Sequence, residues 1–146
     1  MVKKGAALLS IFVAAVLLTF AARLDAADKF IPIFENDEFQ IFLNRSTLRK
    51  NNDVVTSSVR YVFTEAGLKT LRAAIPSRER KKEISAEVDF FNYNLVKARY
   101  NVQVAALHGA DDAPFYREGS KKWLSVKDGT LAAVVVNAML GELGLQ

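Results

Sequence analysis

The sequence predicts an α+β fold: an antiparallel β-sheet of about five to six strands, a C-terminal helix packed on one face, and a short helix between strands. Three observations lead there. Apolar and polar residues alternate with period two in several separate segments, as half-buried strands require. Asn- and Asp-rich turns join those segments, so neighbouring strands are hairpin-connected and antiparallel. The last part of the chain instead has a capped helical pattern that is apolar on nearly every side.

In chain order, the first element is an address rather than part of the fold. Lys3 and Lys4 form a positive start, 5–22 is an uncharged apolar run, and Leu24-Asp25-Ala26 ends in small residues. That order is the secretory pattern, with cleavage expected after Ala26. The run is slightly shorter than the roughly 20 residues a spanning helix needs. Residues 1–26 are therefore expected to be a signal peptide and 27–146 a single domain acting in the periplasm, at the cell surface or outside the cell. An uncleaved anchor is the alternative.

Phe30-Ile31-Pro32-Ile33-Phe34 reads as an edge strand, because its proline offers no ladder donor. After Asn36-Asp37-Glu38, the residues Phe39, Ile41 and Leu43 alternate with Gln40 and Asn44 as a second strand. Asn51-Asn52-Asp53 then makes a hairpin with Val54 to Phe63, in which Val55, Ser57, Val59, Tyr61 and Phe63 share one face. Thr64 caps a helix from Glu65 to about Ala74, and Pro76 ends it. Ile84, Ala86, Val88 and Phe90 are expected to point inward and Glu83, Ser85, Glu87 and Asp89 outward. With a turn at Asn92-Tyr93-Asn94, the next strand puts Val96, Ala98, Tyr100, Val102, Val104 and Ala106 inward.

Pairing Phe90 with Val96 or Ala98 in that hairpin sets Glu87 or Asp89 opposite Lys97 or Arg99. The carboxylates then read as register devices on a solvated face, with catalysis as the minority reading. A turn at Glu118-Gly119 and a short strand around Trp123, Leu124 and Val126 follow. Asp128-Gly129-Thr130 caps a helix from about Thr130 to Leu143, whose apolar circumference also allows a subunit interface.

Composition narrows the functional classes. The formal charge of +4 comes from 20 basic and 16 acidic residues. Without residues 1–26 the basic count loses Lys3, Lys4 and Arg23 (20 − 3 = 17) and the acidic count loses Asp25 (16 − 1 = 15). The remaining charge of about +2 does not argue for nucleic acid, which recruits strongly basic faces. There is no cysteine, so disulfides, thiol nucleophiles and thiolate metal sites are excluded, and packing alone must hold the domain.

No cofactor motif is present, and no cofactor is expected. His108 is the only histidine. With Asp111 and Asp112 it is the one candidate centre for a small enzyme or metal-binding protein, although no second histidine or nucleophile turn accompanies it. Arg45, Arg49, Lys50, Arg78, Arg80, Lys81 and Lys82 fall in loops or at strand starts. They form a positive patch for a polyanion or an acidic protein segment only if the fold joins the two loops.

Several segments together carry a resemblance. They are Phe39 to Leu48, Asn51-Asn52 leading into Val54 to Phe63, Glu87-Val88-Asp89-Phe90-Phe91 ahead of Arg99-Tyr100, and Trp123 to Thr130 leading into the last helix. In these the chain resembles the surface-adhesin protein E-like family of exported bacterial proteins over most of residues 30–140. The resemblance implies an antiparallel sheet with a C-terminal helix on its concave side, often dimeric, and binding to host matrix and serum proteins in the best-known member. The cysteines that tie the last helix to the sheet in that adhesin are missing here. Leu131, Val135, Ala138 and Met139 would hold the helix by burial instead.

The expected function is thus a non-enzymatic exported binding module for a protein or polyanionic partner, with no membrane insertion after cleavage and a homodimer as one possible state. A structural subunit of an envelope assembly and a His108-centred enzyme or metal binder are the alternatives.

Overall fold

Proline at position 32 and the Asn/Asp turns do what their chemistry dictates: they edge the sheet and fold it back on itself. The computed structural model describes residues 29–146, so the export segment and its cleavage point lie outside the described residues. Residues Ile31 to Gln146 form one compact unit.

The strands are β1 (Phe30–Glu35), β2 (Phe39–Asn44), β3 (Arg49–Asn51), β4 (Val54–Phe63), β5 (Ala86–Asn94), β6 (Arg99–His108), β7 (Pro114–Glu118) and β8 (Leu124–Ser125). They build one antiparallel sheet in the order β1-β2-β4-β5-β6-β7, with β3 beside β4 and β8 beside β6. Six strands on the main path match the expected number; β3 and β8 are short additions. Helix α1 (Glu65–Ala74) follows β4, and α2 (Leu131–Glu142) closes the chain. No described helix is long and apolar enough to cross a membrane.

Local chemistry explains the ends of these elements. Asn52 and Asp53 form the two-residue β3–β4 turn, with Asn52 in the left-handed region at φ 51°, which Asn tolerates. Thr64 accepts from the Gly67 amide and caps α1, while its hydroxyl donates to the Asp37 carbonyl at 2.7 Å and so ties the helix to the β1–β2 turn. Thr130 caps α2 through the Ala133 amide at 3.3 Å. Each cap supplies an acceptor to an amide that the helix itself cannot pair.

One face of the sheet is covered. Ile41, Leu43, Val55, Val59 and Phe91 join Ala132, Val135 and Met139 of α2 in the main core. A second cluster packs Leu68, Leu71 and Ile75 of α1 and its end against Ile84, Leu107 and Tyr116. Pairing places Phe39, Ile41, Leu43, Val59, Tyr61, Glu87, Asp89, Ala105, Leu107, Tyr116 and Glu118 on this same face. Val135 and Met139 hold the helix by complete burial, as expected, whereas Leu131 stays 37% exposed and Ala138 only half-buried.

The β5–β6 hairpin departs from the expected register. Its turn is Leu95–Ala98, not Asn92-Tyr93-Asn94, and Phe90 faces Val104 instead of Val96 or Ala98. The Asn94 side chain accepts from the amides of Val96 and Lys97 at 3.1 and 2.8 Å, which moves the turn three residues along. A bulge then changes the phase. Phe90 pairs Val104 but Phe91 pairs Val102, so Gln103 is the extra residue, and Val104 and Ala106 point away from the face that holds Tyr100 and Val102. Gly119 lies against this bulge so closely that a Cβ there would strike the Gln103 carbonyl.

Candidate functional site

The two basic loops stand apart. Arg49 lies beside Thr56 in the ladder, whereas the segment containing Arg78 to Lys82 enters β5 beyond Glu87, which pairs Tyr61. The β4 stretch from Thr56 to Tyr61 therefore separates them by roughly 17 Å at the usual rise of a strand.

Most of these cations also have local duties. Arg45 Nε meets Glu142 Oε2 at 2.9 Å and links the 3-10 turn Arg45–Thr47 to α2. Arg49 donates to the Leu48 carbonyl at 2.7 Å. Arg78 and Lys82 flank the buried Glu79 at 3.2 and 2.7 Å, and Lys82 Nζ also lies 5.1 Å from the centroid of the Phe115 ring. Arg80 donates to the carbonyls of Ile75 and Ala73 at 3.1 and 3.4 Å, so it satisfies the C-terminal end of α1. Lys50 and Lys81 are exposed.

His108, Asp111 and Asp112 do converge, but as a loop closure. The His108 Nδ1 lies 2.8 Å from the Asp112 carbonyl, and Asp111 Oδ1 accepts from the Ala113 amide at 3.1 Å. Arg60 of β4 meets Asp112 Oδ1 at 3.0 Å and draws the loop over the end of the sheet. No group of three or more metal-ligating side chains occurs among the described residues.

The expectation that Glu87 and Asp89 are solvated and paired with Lys97 or Arg99 is corrected by the register. Glu87 lies between Tyr61 and Leu107, and Asp89 between Val59 and Ala105, on the helix-covered face. Asp89 is 7% exposed, and its Oδ1 is buried with no hydrogen-bond partner. Burial pushes its carboxyl up to about 9, with the charge of Glu87 adding to the shift and a hydrogen bond from Tyr61 opposing it. Burial also raises Glu87, against the hydrogen bond it shares with Asp89, and the charge of Glu118 raises it further. Tyr61 is held well above the usual phenol range by burial and then by the charges of Asp89 and Glu87. Alternation alone could not show this, because period two fixes which residues share a face but not which face is covered.

The opposite face of the sheet is open in part: Ser58, Ala86, Asn101 and Ala106 on it are buried, and larger apolar side chains between them reach solvent. Phe90 and Val104 sit directly opposite one another there, 43% and 37% exposed. Val62, Phe42 and Val88 share that side, with Arg60, Arg117, Asn92 and Asn101 around them. The Asn92 amide donates to the Asn101 side chain at 2.9 Å, so a polar rung borders the apolar pair.

No family model, curated protein or solved structure matches this chain. What the molecule offers to partners is therefore read from its own surfaces: an open sheet face with an apolar centre, and a covered face enclosing an acid pair.

Proposed function

We propose that this chain is an exported, non-enzymatic binding module that engages a protein partner through the open face of its sheet. The observation that carries the reading is the exposed Phe90–Val104 pair at the middle of that face. Apolar side chains at the centre with polar and cationic groups around them have the anatomy of a protein-recognition surface, in which a few desolvated anchors supply most of the affinity. The export pattern in residues 1–26 and the resemblance to surface-adhesin E-like proteins support the same reading. Exposed Lys50, beside Val55 near the start of β4, and exposed Lys81, in the loop ahead of β5, favour a partner with an acidic periphery.

The His108 alternative draws no support from the geometry, since the ring nitrogen nearest the aspartates and both aspartate side chains close the loop. The test is capture of envelope and extracellular proteins on the immobilised chain, followed by titration of the captured protein against a Phe90→Ser/Val104→Ser variant. At least a tenfold loss of affinity is expected. Undiminished affinity would overturn the assignment of the face, and retention of a polysaccharide in place of a protein would favour the polyanion reading.

A further inference from the structure

We propose that Glu87 and Asp89 form a proton-sharing pair that makes closure of the helix-covered face depend on pH. The proposal does not rest on the binding reading above. Alternate residues of one strand project on the same side, so the two carboxyls are neighbours in a space bounded by Val59, Tyr61, Ala105 and Leu107. The main core with α2 lies to one side of them and the α1 cluster to the other.

Two adjacent carboxylates in such surroundings do not both ionise cheaply: desolvation and mutual repulsion each favour keeping a proton. Among the described residues, the groups acting on the pair are Tyr61 from β4, Glu118 from β7 and, through Tyr61, Tyr100 from β6. Every one is acidic or phenolic and so repels or at most hydrogen-bonds; none supplies a positive charge. Asp89 Oδ1, buried without a partner, is tolerable on a neutral acid and costly on an anion.

The linkage follows from proton binding. A carboxyl whose folded value lies above its unfolded value keeps its proton in the folded chain after the unfolded chain has lost it. Stability contributed by the pair is therefore full below the unfolded carboxylate range near 4 and declines as pH rises from there toward 9. Loosening begins where the charge appears, between the two helix-supported clusters.

The experiment is urea denaturation of the full chain at pH 5, 7 and 9, comparing wild type with Asp89→Asn, Glu87→Gln and the exposed control Glu83→Gln. In wild type the unfolding constant is expected to rise with pH, approaching tenfold per pH unit at most. Asp89→Asn should flatten that rise, Glu87→Gln should reduce it, and Glu83→Gln should leave it unchanged. A wild-type constant that is flat or falls from pH 5 to 9 would overturn the proposal, as would an Asp89→Asn variant with the wild-type slope. Should Asp89→Asn fail to fold, the carbonyl stretch of a protonated carboxylic acid in the infrared spectrum of wild type at pH 7 decides instead. Its presence, with loss at higher pH, supports the pair, and its absence overturns it.

Discussion

At the scale of single residues, closeness of approach matters more here than the identity of any polar group. Gly67 is buried in the first turn of α1, where a Cβ would collide with the backbone carbonyl of Glu38. Backbone cannot rotate away as a side-chain end can, so the helix must shift instead. That shift would strain the contacts Thr64 makes with Asp37 and Glu38. Gly67→Ala, which would gain helix propensity at an open site, is expected here to destabilise by about 1–3 kcal/mol, the usual cost of overpacking. Chemical denaturation of wild type and variant checks the sign. Nothing in the sequence marked this position, because the collision involves a segment nearly thirty residues earlier. The partnerless Asp89 oxygen was hidden for a related reason: an alternating strand shows its two faces equally well from either side.

Among the elements, helices were the most legible. Thr64 and Thr130 name their own starts, since a threonine hydroxyl ahead of a periodic apolar run has amides to accept from, and Pro76 sits just beyond the end of α1. The hairpin at Asn52-Asp53 was legible on the same local grounds. The β5–β6 hairpin was not, because Asn92, Tyr93 and Asn94 resemble a turn in composition while the ladder runs through them to Arg99. The Gln103 bulge then inverted the phase of the second arm, and no local signal at Gln103 distinguishes it from an ordinary strand residue. Helix α2 shows what local pattern does not carry. It is apolar nearly all round, yet only Ala132, Ala133, Val135, Val136 and Met139 are buried. With no disulfide to retain it, its attachment should be concentrated in the two fully buried side chains that meet the sheet core, Val135 and Met139. Met139→Ala is expected to cost about 2–5 kcal/mol through lost burial and the cavity left behind. Leu131→Ala, at an exposed position, should cost well under half as much. Equal losses in thermal or urea unfolding would mean that α2 is held elsewhere.

For the molecule as a whole, the sheet divides two kinds of work. One face carries helices and the acid pair, and the other presents Phe90 and Val104 to solvent. Among the cations, Arg60 and Arg117 border the open face, whereas the two basic groups that the sequence singles out lie in the Arg45–Thr47 turn, in β3 and in the loop ahead of β5. Because the ladder positions Thr56 and Tyr61 beside them lie roughly 17 Å apart along β4, beyond the screening length of about 8 Å at physiological salt, the charges of the two groups are largely screened from one another. Sequence proximity had grouped Arg45, Arg49 and Lys50 with one another and Arg78 to Lys82 with one another, and the fold leaves the two groups separate. Charge neutralisation should then be additive. Replacing Lys50 with glutamine should lower the salt at which the chain leaves a cation exchanger, and so should replacing Lys81. The combined variant should show the sum of the two shifts, as independent sites do. Arg80 must be left in place in this test, since its bonds to the carbonyls of Ala73 and Ile75 would make a charge change also a change at the end of α1. A combined loss well beyond the sum would mean that one bound surface engages both loops at once, and would overturn their independence.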